Sequence, residues 1–274
     1  MTVIAREEHS AEWLEANGLG GFASGTVGDI RTRRYHSLLM TENEFGRFVL
    51  VNGFDAWVAS DDGTFPISSQ LYDPDIVHPG GAFYLTSFQS EPWPRWQYEF
   101  PSGIKLEQEL FVPHESEMVV LSWRLLEPRK DVALIMRPLI SGRDYHSLMR
   151  ENEVFQLNSE LDGERTVWRP HESLPAICID SNGTFEHDAV WYRNFLYTEE
   201  RRRGLDHVED LASPGVFRWT LGDKSAVWIA SACADGDRRG DDRKSAHETC
   251  TTLRDAERIR RTNFACPLER AADA

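Results

Sequence analysis

The strongest local signal in this sequence is the stretch EWLEANGLGGFASGTVGDIRTRRYHSLLM, which runs from Glu12 to Met40. Five of its glycines lie between residues 18 and 28, and a basic and aromatic run, residues 31–36, follows directly. Glycines at this density indicate backbone in conformations that a side chain would forbid, or backbone packed closely against another group. Ordering such a loop costs conformational entropy, so we expect it to make contacts that offset this cost.

Two interpretations of the glycine-rich loop stay open. It is either a rigid flap at the mouth of a sugar site or a packing loop that holds a neighbouring domain, because a glycine-rich backbone approaches a protein as readily as a ligand. Gly18 to Ala23 also matches the GxGxxA pattern of dinucleotide-binding loops. That site needs a preceding apolar strand and a following helix. The flanking segments, EWLEAN and SGTVG, are not typical of such a strand or such a helix, which argues against a nucleotide site.

Downstream of this stretch, short segments alternate between apolar and polar residues, and glycine-containing turns separate them. Asn52-Gly53 is a strong hairpin signal and predicts a turn between two strands. Pro101-Ser102-Gly103 predicts a second hairpin, in which residues 104–112 have the period-two pattern of a half-buried strand. Many such segments and few helices predict a mainly β chain that forms a large antiparallel β-sandwich, similar to a supersandwich.

The clearest helical pattern lies near the end of the sequence, over residues 245–264. Its apolar stripe consists of Cys250, Leu253, Ala256 and Ile259. A polar segment, residues 236–244, precedes it. We therefore expect the β-sandwich to occupy residues 1–240 and a linker helix to lie within residues 241–274.

The charge and the cysteines argue against several classes of protein. A net charge of −15 argues against binding to nucleic acids or anionic membranes. No apolar run approaches the roughly 20 residues of a transmembrane helix, and the segment MTVIAREEHS lacks the apolar region of a signal peptide. The cysteines lie far apart and form no CxxC pair, so we expect reduced thiols in a cytoplasmic protein. They are Cys178, Cys233, Cys250 and Cys266.

Four blocks of the sequence resemble the bacterial and archaeal type of glycogen debranching enzyme. They are NGLGGFASGT (Asn17–Thr26), TRRYHSLL (Thr32–Leu39), RPLISGRDYHSL (Arg137–Leu148) and WYRNFLYTEERRRGLDHVEDLASPGVF (Trp191–Phe217). The blocks are long, keep their order and are spread over most of the chain. The family usually has glycine where this chain has Ser37, and serine is compatible with the loop if this residue does not need a positive φ.

The resemblance implies a β-sandwich that is followed by a catalytic barrel of paired helices, an (α/α)6 barrel, which is absent from this sequence. It also implies that the complete protein hydrolyses α-1,6 branch linkages of glycogen or related α-glucans. The family's catalytic carboxylates lie in the barrel, so we assign no catalytic residue here and expect the isolated chain to be inactive. The expected partners are the barrel and an α-glucan, and no cofactor is expected.

The run Arg33-Arg34-Tyr35-His36 allows two interpretations. Its guanidinium groups and ring can bind sugar hydroxyls and stack on a sugar face. Alternatively, the arginines form ion pairs with the many carboxylates while Tyr35 and His36 alternate into the core of a strand, and we favour this structural role. A similar string recurs at Arg143-Asp144-Tyr145-His146, and the two loops would be able to meet across the sandwich.

The remaining candidates are a tryptophan and several charged residues. Trp93 lies in a stiff, proline-rich segment, where an exposed ring would be able to stack on a sugar. The acidic residues from Glu199 to Asp210 surround Arg201–Arg203, which is typical of a charged, salt-bridged loop. No HxH or HExxH spacing occurs, so a metal site is not expected. The candidates for sugar binding or for contact with another domain are Asn17, Gly18, Gly20, Gly21, Arg33, Arg34, Tyr35, His36, Trp93, Arg143, Asp144, Tyr145 and His146.

Three functional hypotheses follow, and the first is favoured. In it, the chain is a non-catalytic domain that stabilises the barrel, shapes the rim of its active site and contacts glucan. In the second, the chain is itself a sugar-processing enzyme similar to β-sandwich epimerases. Its proton-transfer candidates are His114, Glu115, His146 and His171, although no common spacing links them. In the third, the chain is an interaction domain without any sugar contact.

Overall fold

The computed structural model describes residues 8–43, 46–163, 165–233 and 244–264. These residues form two antiparallel sheets, of ten and eight strands. In chain order the strands are β1 (Glu12–Ala16), β2 (Phe22–Thr26), β3 (Ser37–Asn43), β4 (Gly46–Ser60), β5 (Gly63–Pro66), β6 (Ser69–Tyr72), β7 (Ile76–Gly80), β8 (Leu85–Gln89), β9 (Arg95–Glu99), β10 (Lys105–Phe111), β11 (Met118–Leu125), β12 (Val132–Asp144), β13 (Ser159–Asp162), β14 (Arg165–Trp168), β15 (Ala176–Ser181), β16 (Thr184–Leu196), β17 (Val208–Leu221) and β18 (Ala226–Cys233). The α-helices of this part are α1 (Thr198–Arg202) and α2 (Ala246–Thr262), and short 3-10 helices span Glu8–Ser10 and Gly81–Tyr84.

The two sheets face each other over one apolar core, which confirms the prediction of a large antiparallel β-sandwich with a C-terminal helix. The larger sheet has the strand order β1-β2-β3-β4-β12-β17-β16-β6-β7, with β5 paired to β4. The smaller sheet has the order β13-β14-β15-β18-β11-β10-β9-β8. Phe54 of β4 packs edge-on against Trp123 of β11, with ring centroids 5.8 Å apart. Alternate residues of these strands fill the core, as the period of a strand requires.

The hairpin turn predicted at Asn52-Gly53 is wrong, because β4 continues through both residues. The pairing of β4 with β12 shifts register here, which indicates a β-bulge. Gly53 leaves room for the Arg31 guanidinium, since a Cβ at this position would lie 2.2 Å from its Nη1. The Asn52 amide donates to the Glu209 carboxylate at 3.5 Å. This Asn-Gly pair therefore serves tertiary contacts, whereas the hairpin predicted at residues 101–103 is confirmed between β9 and β10.

The larger sheet curls into a half-barrel because its far strands approach β4 again. Strand β6 pairs with β16 through Tyr72 and Phe195, and the residues just before β6 lie along β4. There the backbone N–H of Ile67 donates to the Ala56 carbonyl at 2.9 Å, and the Ala56 N–H donates to Ser68 Oγ at 3.0 Å. We call the face opposite the sandwich core the inner face of the half-barrel. Its buried apolar side chains are Leu139, Phe195 and Leu211.

Helix α2 covers part of the smaller sheet and buries Trp93. Ser245 begins the helix with a capping box that includes Glu248. Trp93 is 1 % exposed, and its ring lies 5.2 Å from that of Phe111. Cys250 of the helix belongs to the same buried cluster. The expectation that Trp93 presents an exposed ring for sugar stacking is therefore wrong, because the helix covers a segment that the sequence alone suggests is open.

The apolar stripe predicted for α2 is right at Cys250 and Leu253, which pack in one buried cluster. It is wrong at Ala256, which is exposed, and at Ile259, which is 66 % exposed. The buried side of the helix continues instead through Glu257 and Arg261, whose charged atoms lie 3.0 Å apart. Arg261 also forms an ion pair with Glu15 of β1 at 2.6 Å. These charges are tolerated in a buried position because each has an oppositely charged partner.

The expectation of reduced thiols is wrong for two of the four cysteines. Cys178 of β15 and Cys233 of β18 form a disulfide, with Cα atoms 6.2 Å apart. Their strands are neighbours in the smaller sheet, a proximity that a separation of 55 residues does not reveal. Cys250 is a buried free thiol, and burial raises its pKa to about 11. Cys266 lies outside the described residues.

Two sequence-based expectations concern larger features of the chain. Neither α-helix of the described ranges combines the length and the apolar character that crossing a membrane requires. The predicted boundary between residues 240 and 241 lies outside the described residues, so the division into a sandwich and a linker segment stays a prediction.

We expect Trp93→Ala to lower the free energy of unfolding by about 3–5 kcal/mol, because truncation leaves a large cavity beneath α2. The measurement is urea unfolding followed by circular dichroism. Phe83→Ala is the matched control, since Phe83 is 70 % exposed and its truncation should change stability by less than about 0.5 kcal/mol. An equal loss of stability in the two variants would contradict the burial of Trp93.

Candidate functional site

The glycine-rich segment is a tight turn between β1 and β2 that Asn17 holds in place. Asn17 Oδ1 accepts hydrogen bonds from the backbone N–H groups of Leu19 at 2.8 Å and Gly21 at 3.0 Å. Its Nδ2 donates to the carbonyl of Ser116 at 3.1 Å. A single buried amide therefore closes the turn and attaches it to the loop between β10 and β11.

The glycines of this turn are required by contacts within the chain itself. Gly18 and Gly20 have φ values of +75° and +90°, a region that side chains disfavour. A Cβ on Gly18 would lie 2.5 Å from the ring of His114, and a Cβ on Gly20 would lie 2.0 Å from Glu42 Oε2. The close approach predicted for this backbone is therefore present, and its partners are the loop before β11 and strand β3 of the same chain.

The two similar strings, residues 33–36 and 143–146, meet at one end of the larger sheet. Tyr35 Oη and His146 Nδ1 lie 3.0 Å apart, and the rings of Tyr35 and Tyr145 are 5.7 Å apart. Arg34 donates to the carbonyl of His146, while Arg143 Nη2 donates to the carbonyl of Arg34 at 2.7 Å. The strings adjoin β3 and β12 of one sheet, so they meet within that sheet and not across the sandwich.

A buried ion pair beneath this contact fixes both strings. Arg143 is 6 % exposed and Glu209 of β17 is fully buried, and the Arg143 guanidinium donates to both Glu209 carboxylate oxygens. The same carboxylate accepts hydrogen bonds from the Tyr197 hydroxyl and, at 2.9 Å, from the backbone N–H of Met149. Burial raises the pKa of Tyr197, and the Glu209 charge raises it further. The phenol therefore stays a donor at neutral pH.

The other arginines of the first string are also engaged within the chain. Arg34 Nη2 lies 3.1 Å from Glu200 Oε2, and its backbone N–H donates to the other oxygen at 3.3 Å. Glu200 belongs to α1 and is 1 % exposed, so this pair attaches the helix to the loop. Arg33 pairs with Glu12 of β1 at 2.6 Å. Each guanidinium of the two strings therefore has a carboxylate partner.

His36 is buried as a neutral imidazole. Its Nδ1 accepts a hydrogen bond from the Thr32 backbone N–H at 3.1 Å, so the proton resides on Nε2, which faces Glu12 at 3.4 Å. Burial lowers the pKa of His36 to about 4, and the nearby Arg33 charge also lowers it, although Glu12 opposes the shift. The ring therefore acts as a structural part of the loop, as the favoured interpretation expects. The expectation that Tyr35 and His36 alternate into the core of a strand is wrong, because both residues precede β3 and Tyr35 is only half-buried.

Four neighbouring side chains of the two strings lie at the surface or are half-buried beside it, and we call them the tyrosine–histidine patch. They are Tyr35, Asp144, Tyr145 and His146. The rings of Tyr145 and His146 stack with centroids 3.8 Å apart, and Asp144 Oδ1 accepts the His146 backbone N–H at 2.8 Å. The Arg47 guanidinium lies 5.9 Å from the Tyr145 ring centroid. The patch therefore offers ordered aromatic faces and hydrogen-bonding groups beside cations that are already neutralised.

The charged, salt-bridged segment predicted around Arg201–Arg203 is present, since Glu199 pairs with Arg202 and Arg201 with Asp75, but two of its carboxylates are buried. Glu200 and Glu209 are buried partners of arginines that lie far away in the sequence. The only sequence signal for Glu209 is its position at the start of the long strand pattern that follows residue 207. Among the described residues, no group of three or more His, Cys, Asp or Glu side chains is arranged to hold a metal ion.

The residues proposed for a stand-alone epimerase lie in different environments. His114 lies against Gly18, His146 against Tyr35, and His171 Nδ1 lies 2.7 Å from Ser173 Oγ. His171 also lines a shallow surface cavity of about 580 Å³. The described residues thus offer no shared acid–base centre built from these side chains.

We expect the free energy of unfolding to fall as the pH is lowered from about 6.5 to about 4 because of His36. Between these pH values the unfolded protein binds a proton at His36 that the folded protein does not bind. The free energy of unfolding therefore falls by up to about 1.4 kcal/mol per pH unit. His36→Asn keeps an acceptor near Nδ1 and removes the titration, so its stability should depend less on pH. Urea titrations at several pH values test this, and identical profiles would contradict it.

We expect Glu209→Gln to lower the free energy of unfolding by about 3–5 kcal/mol, because the buried Arg143 charge loses its counter-charge. Glu199→Gln is the matched control: its partner Arg202 is 75 % exposed, and such pairs contribute less than about 1 kcal/mol. Thermal and urea unfolding measure both variants. A loss below about 1 kcal/mol for Glu209→Gln would show that the pair does not hold the two strings.

Comparisons with known proteins give a family and a set of solved structures with a similar fold. No curated protein matches the chain. The fold resembles that of a bacterial glucoamylase complexed with acarbose, with a TM-score of 0.44 and 9% sequence identity. The match covers 95% of this chain and 37% of the glucoamylase chain, so the present chain spans little more than a third of that protein.

The family model described as the N-terminal region of glycogen debranching enzyme matches residues 11–228. This range contains the glycine-rich turn, both similar strings and the buried ion pair that joins them. The chain therefore belongs to the family of glycogen debranching enzyme N-terminal domains.

Proposed function

We propose that this chain is the non-catalytic N-terminal domain of an enzyme that hydrolyses α-1,6 branch linkages of glycogen or a related α-glucan. In the proposal, the domain stabilises a catalytic helical barrel of the same protein, and the tyrosine–histidine patch contacts the glucan. The family match over residues 11–228 carries the assignment. The convergence of the two strings on one surface supports the choice of contact site.

The electrostatics of the patch favour an uncharged ligand. The arginines next to it, Arg33, Arg34 and Arg143, pair with Glu12, Glu200 and Glu209. An anionic ligand would have to compete with these carboxylates. Aromatic faces combined with hydroxyl and imidazole groups suit a sugar ring instead, because a sugar has both C–H faces and hydroxyl edges.

The proposed barrel contact lies where α2 approaches β1. Arg261, near the end of α2, pairs with Glu15 of β1, so the helix ends beside the first hairpin. Leu14 and Leu19 of that hairpin are 62 % and 48 % exposed. Exposed apolar residues that cluster at one site are typical of protein contact surfaces. We therefore propose that this hairpin packs against the barrel, in agreement with the second interpretation of the glycine-rich loop.

A pure interaction domain is the second candidate function, and the internal engagement of the arginines favours it. If the polar residues of the two strings are all structural, the patch need not touch sugar. The two candidates differ in one observable, which is the affinity of the isolated chain for a glucan.

The proposal includes a cytoplasmic location, which a glycogen-type substrate favours. The Cys178–Cys233 disulfide counts against it, because disulfides are rare in reducing compartments. Thiol quantification in protein extracted from the cytoplasm under acid quench distinguishes reduced cysteines from a disulfide between Cys178 and Cys233.

We expect the isolated chain to bind a branched maltodextrin without releasing glucose from it. Tyr145→Ala should weaken binding about two- to tenfold, the range that one aromatic contact supplies. Calorimetric titration measures the affinity, and a glucose assay measures hydrolysis. Phe83→Ala serves as the control, because Phe83 is also an exposed aromatic residue.

The outcomes separate the candidate functions. Saturable binding that depends on Tyr145 agrees with a glucan contact, whereas no heat at millimolar ligand favours the interaction domain. Glucose release by the isolated chain would contradict the assignment as a non-catalytic domain.

A further inference from the structure

The inner face of the half-barrel has a buried polar floor that the tyrosine–histidine patch does not use. Arg31 Nη2 donates to Gln70 Oε1 at 2.7 Å, and Gln70 Nε2 donates to Asp55 Oδ1 at 2.9 Å. Ser68 Oγ donates to the same Asp55 oxygen at 3.3 Å. Arg31, Asp55 and Gln70 are 7%, 2% and 1% exposed. Three side chains from separate segments thus form one continuous chain of hydrogen bonds.

Aromatic rings stand beside this floor. The Arg31 guanidinium lies over the ring of Phe195, 5.1 Å from its centroid. Phe195 packs against Tyr72 with centroids 4.7 Å apart and lies 6.5 Å from the ring of Tyr192. Phe195 is buried, whereas Tyr72 and Tyr192 are half-buried. The two tyrosines therefore line the boundary between the polar floor and the solvent.

Several donors at this place have no partner within the described part of the chain. Arg31 Nε is buried and makes no hydrogen bond there. The hydroxyl groups of Tyr72 and Tyr192 also make no hydrogen bond to other described residues. An unpaired buried donor costs about 1–3 kcal/mol. Native structures rarely leave such groups without a protein, water or ligand partner. The inner face can therefore form further hydrogen bonds.

The charges of the inner face balance one another. Arg31 lies in the electrostatic field of Asp55, and Arg137 pairs with Asp188. Burial raises the pKa of Asp55 and raises that of nearby Asp29 to about 7, which reduces the fixed negative charge. Arg137 is thus compensated by a direct ion pair, while the groups around Arg31 on the floor are mainly hydrogen-bonding groups. The chemistry of the floor suits a neutral molecule with several hydroxyl groups.

The carboxyl group of the floor is near both phenols. After burial, the Asp55 charge is the next cause that raises the pKa of both Tyr72 and Tyr192. One carboxyl group therefore lies within electrostatic range of both phenols, which both pack against Phe195.

We propose that the inner face of the half-barrel binds one ring of a neutral hexose sugar, with Tyr72 and Tyr192 flanking the ring and Asp55, Gln70 and Arg31 forming the polar floor. The tyrosine hydroxyls bond the sugar's hydroxyl groups, and a hydroxyl or a bridging water satisfies Arg31 Nε. The site is separate from the tyrosine–histidine patch, and it does not depend on the role proposed for that patch.

Calorimetric titration of the complete chain with maltose tests this site. Tyr72→Phe and Tyr192→Phe each remove one hydroxyl and retain the ring, so both variants should fold. We expect each to raise the Kd about two- to tenfold, as the loss of one hydrogen bond predicts. Tyr84→Phe is the matched control, because Tyr84 is a half-buried tyrosine in a different aromatic cluster, next to Phe65 and Phe100.

The result expected is saturable maltose binding that weakens in both inner-face variants and stays unchanged in Tyr84→Phe. Absence of maltose binding to the wild-type chain overturns the proposal, as does an unchanged Kd in both inner-face variants. If Tyr145→Ala alone weakens binding, the patch is the sugar site and the inner face is not. Inorganic phosphate that competes with maltose would overturn the assignment to a neutral ligand.

Discussion

The buried ion pair between Arg143 and Glu209 is the interaction on which the candidate surface depends. It joins β12 to β17, and its carboxylate also receives the Tyr197 hydroxyl and the Asn52 amide. Removing two such charges from water is costly unless hydrogen bonds satisfy them, and here nearly every lone pair of the carboxylate has a donor. Because Arg143 also holds the carbonyl of Arg34, the two similar strings cannot separate without breaking this pair.

The curvature of the larger sheet gives its two faces different chemistry. One face packs on the smaller sheet and is apolar, as the core of a sandwich requires. The other face curls around polar and aromatic side chains, and the β-bulge at Asn52-Gly53 makes room for Arg31. The same sheet can therefore supply stability on one side and hydrogen-bonding groups on the other.

Features of the fold that neighbouring residues set were predictable from the sequence, whereas features that distant partners set were not. The hairpin at residues 101–103 and the capped helix α2 were predicted because turn and capping preferences are local. The predictions of a turn at Asn52-Gly53, of an exposed Trp93 and of reduced thiols were wrong. In each case a partner that is distant in sequence determines the observed structure. Arg31 fills the space over Gly53, α2 covers Trp93, and β18 brings Cys233 to Cys178. The pairing of the two similar strings was anticipated, but not its location within one sheet.

The mainly β architecture, the need for glycine at residues 18 and 20, and membership of the debranching enzyme family follow from the amino-acid sequence, because alternating polarity, backbone sterics and long motifs are properties of contiguous residues. Which charged residues are buried partners, and which aromatic rings reach the surface, follows from the folded arrangement of the strands. Burial depends on what lies above a residue, and that neighbour comes from another part of the chain. For this reason Arg143 and Glu209 are internal, whereas Tyr145 and His146, which lie beside Arg143 in the sequence, face the solvent.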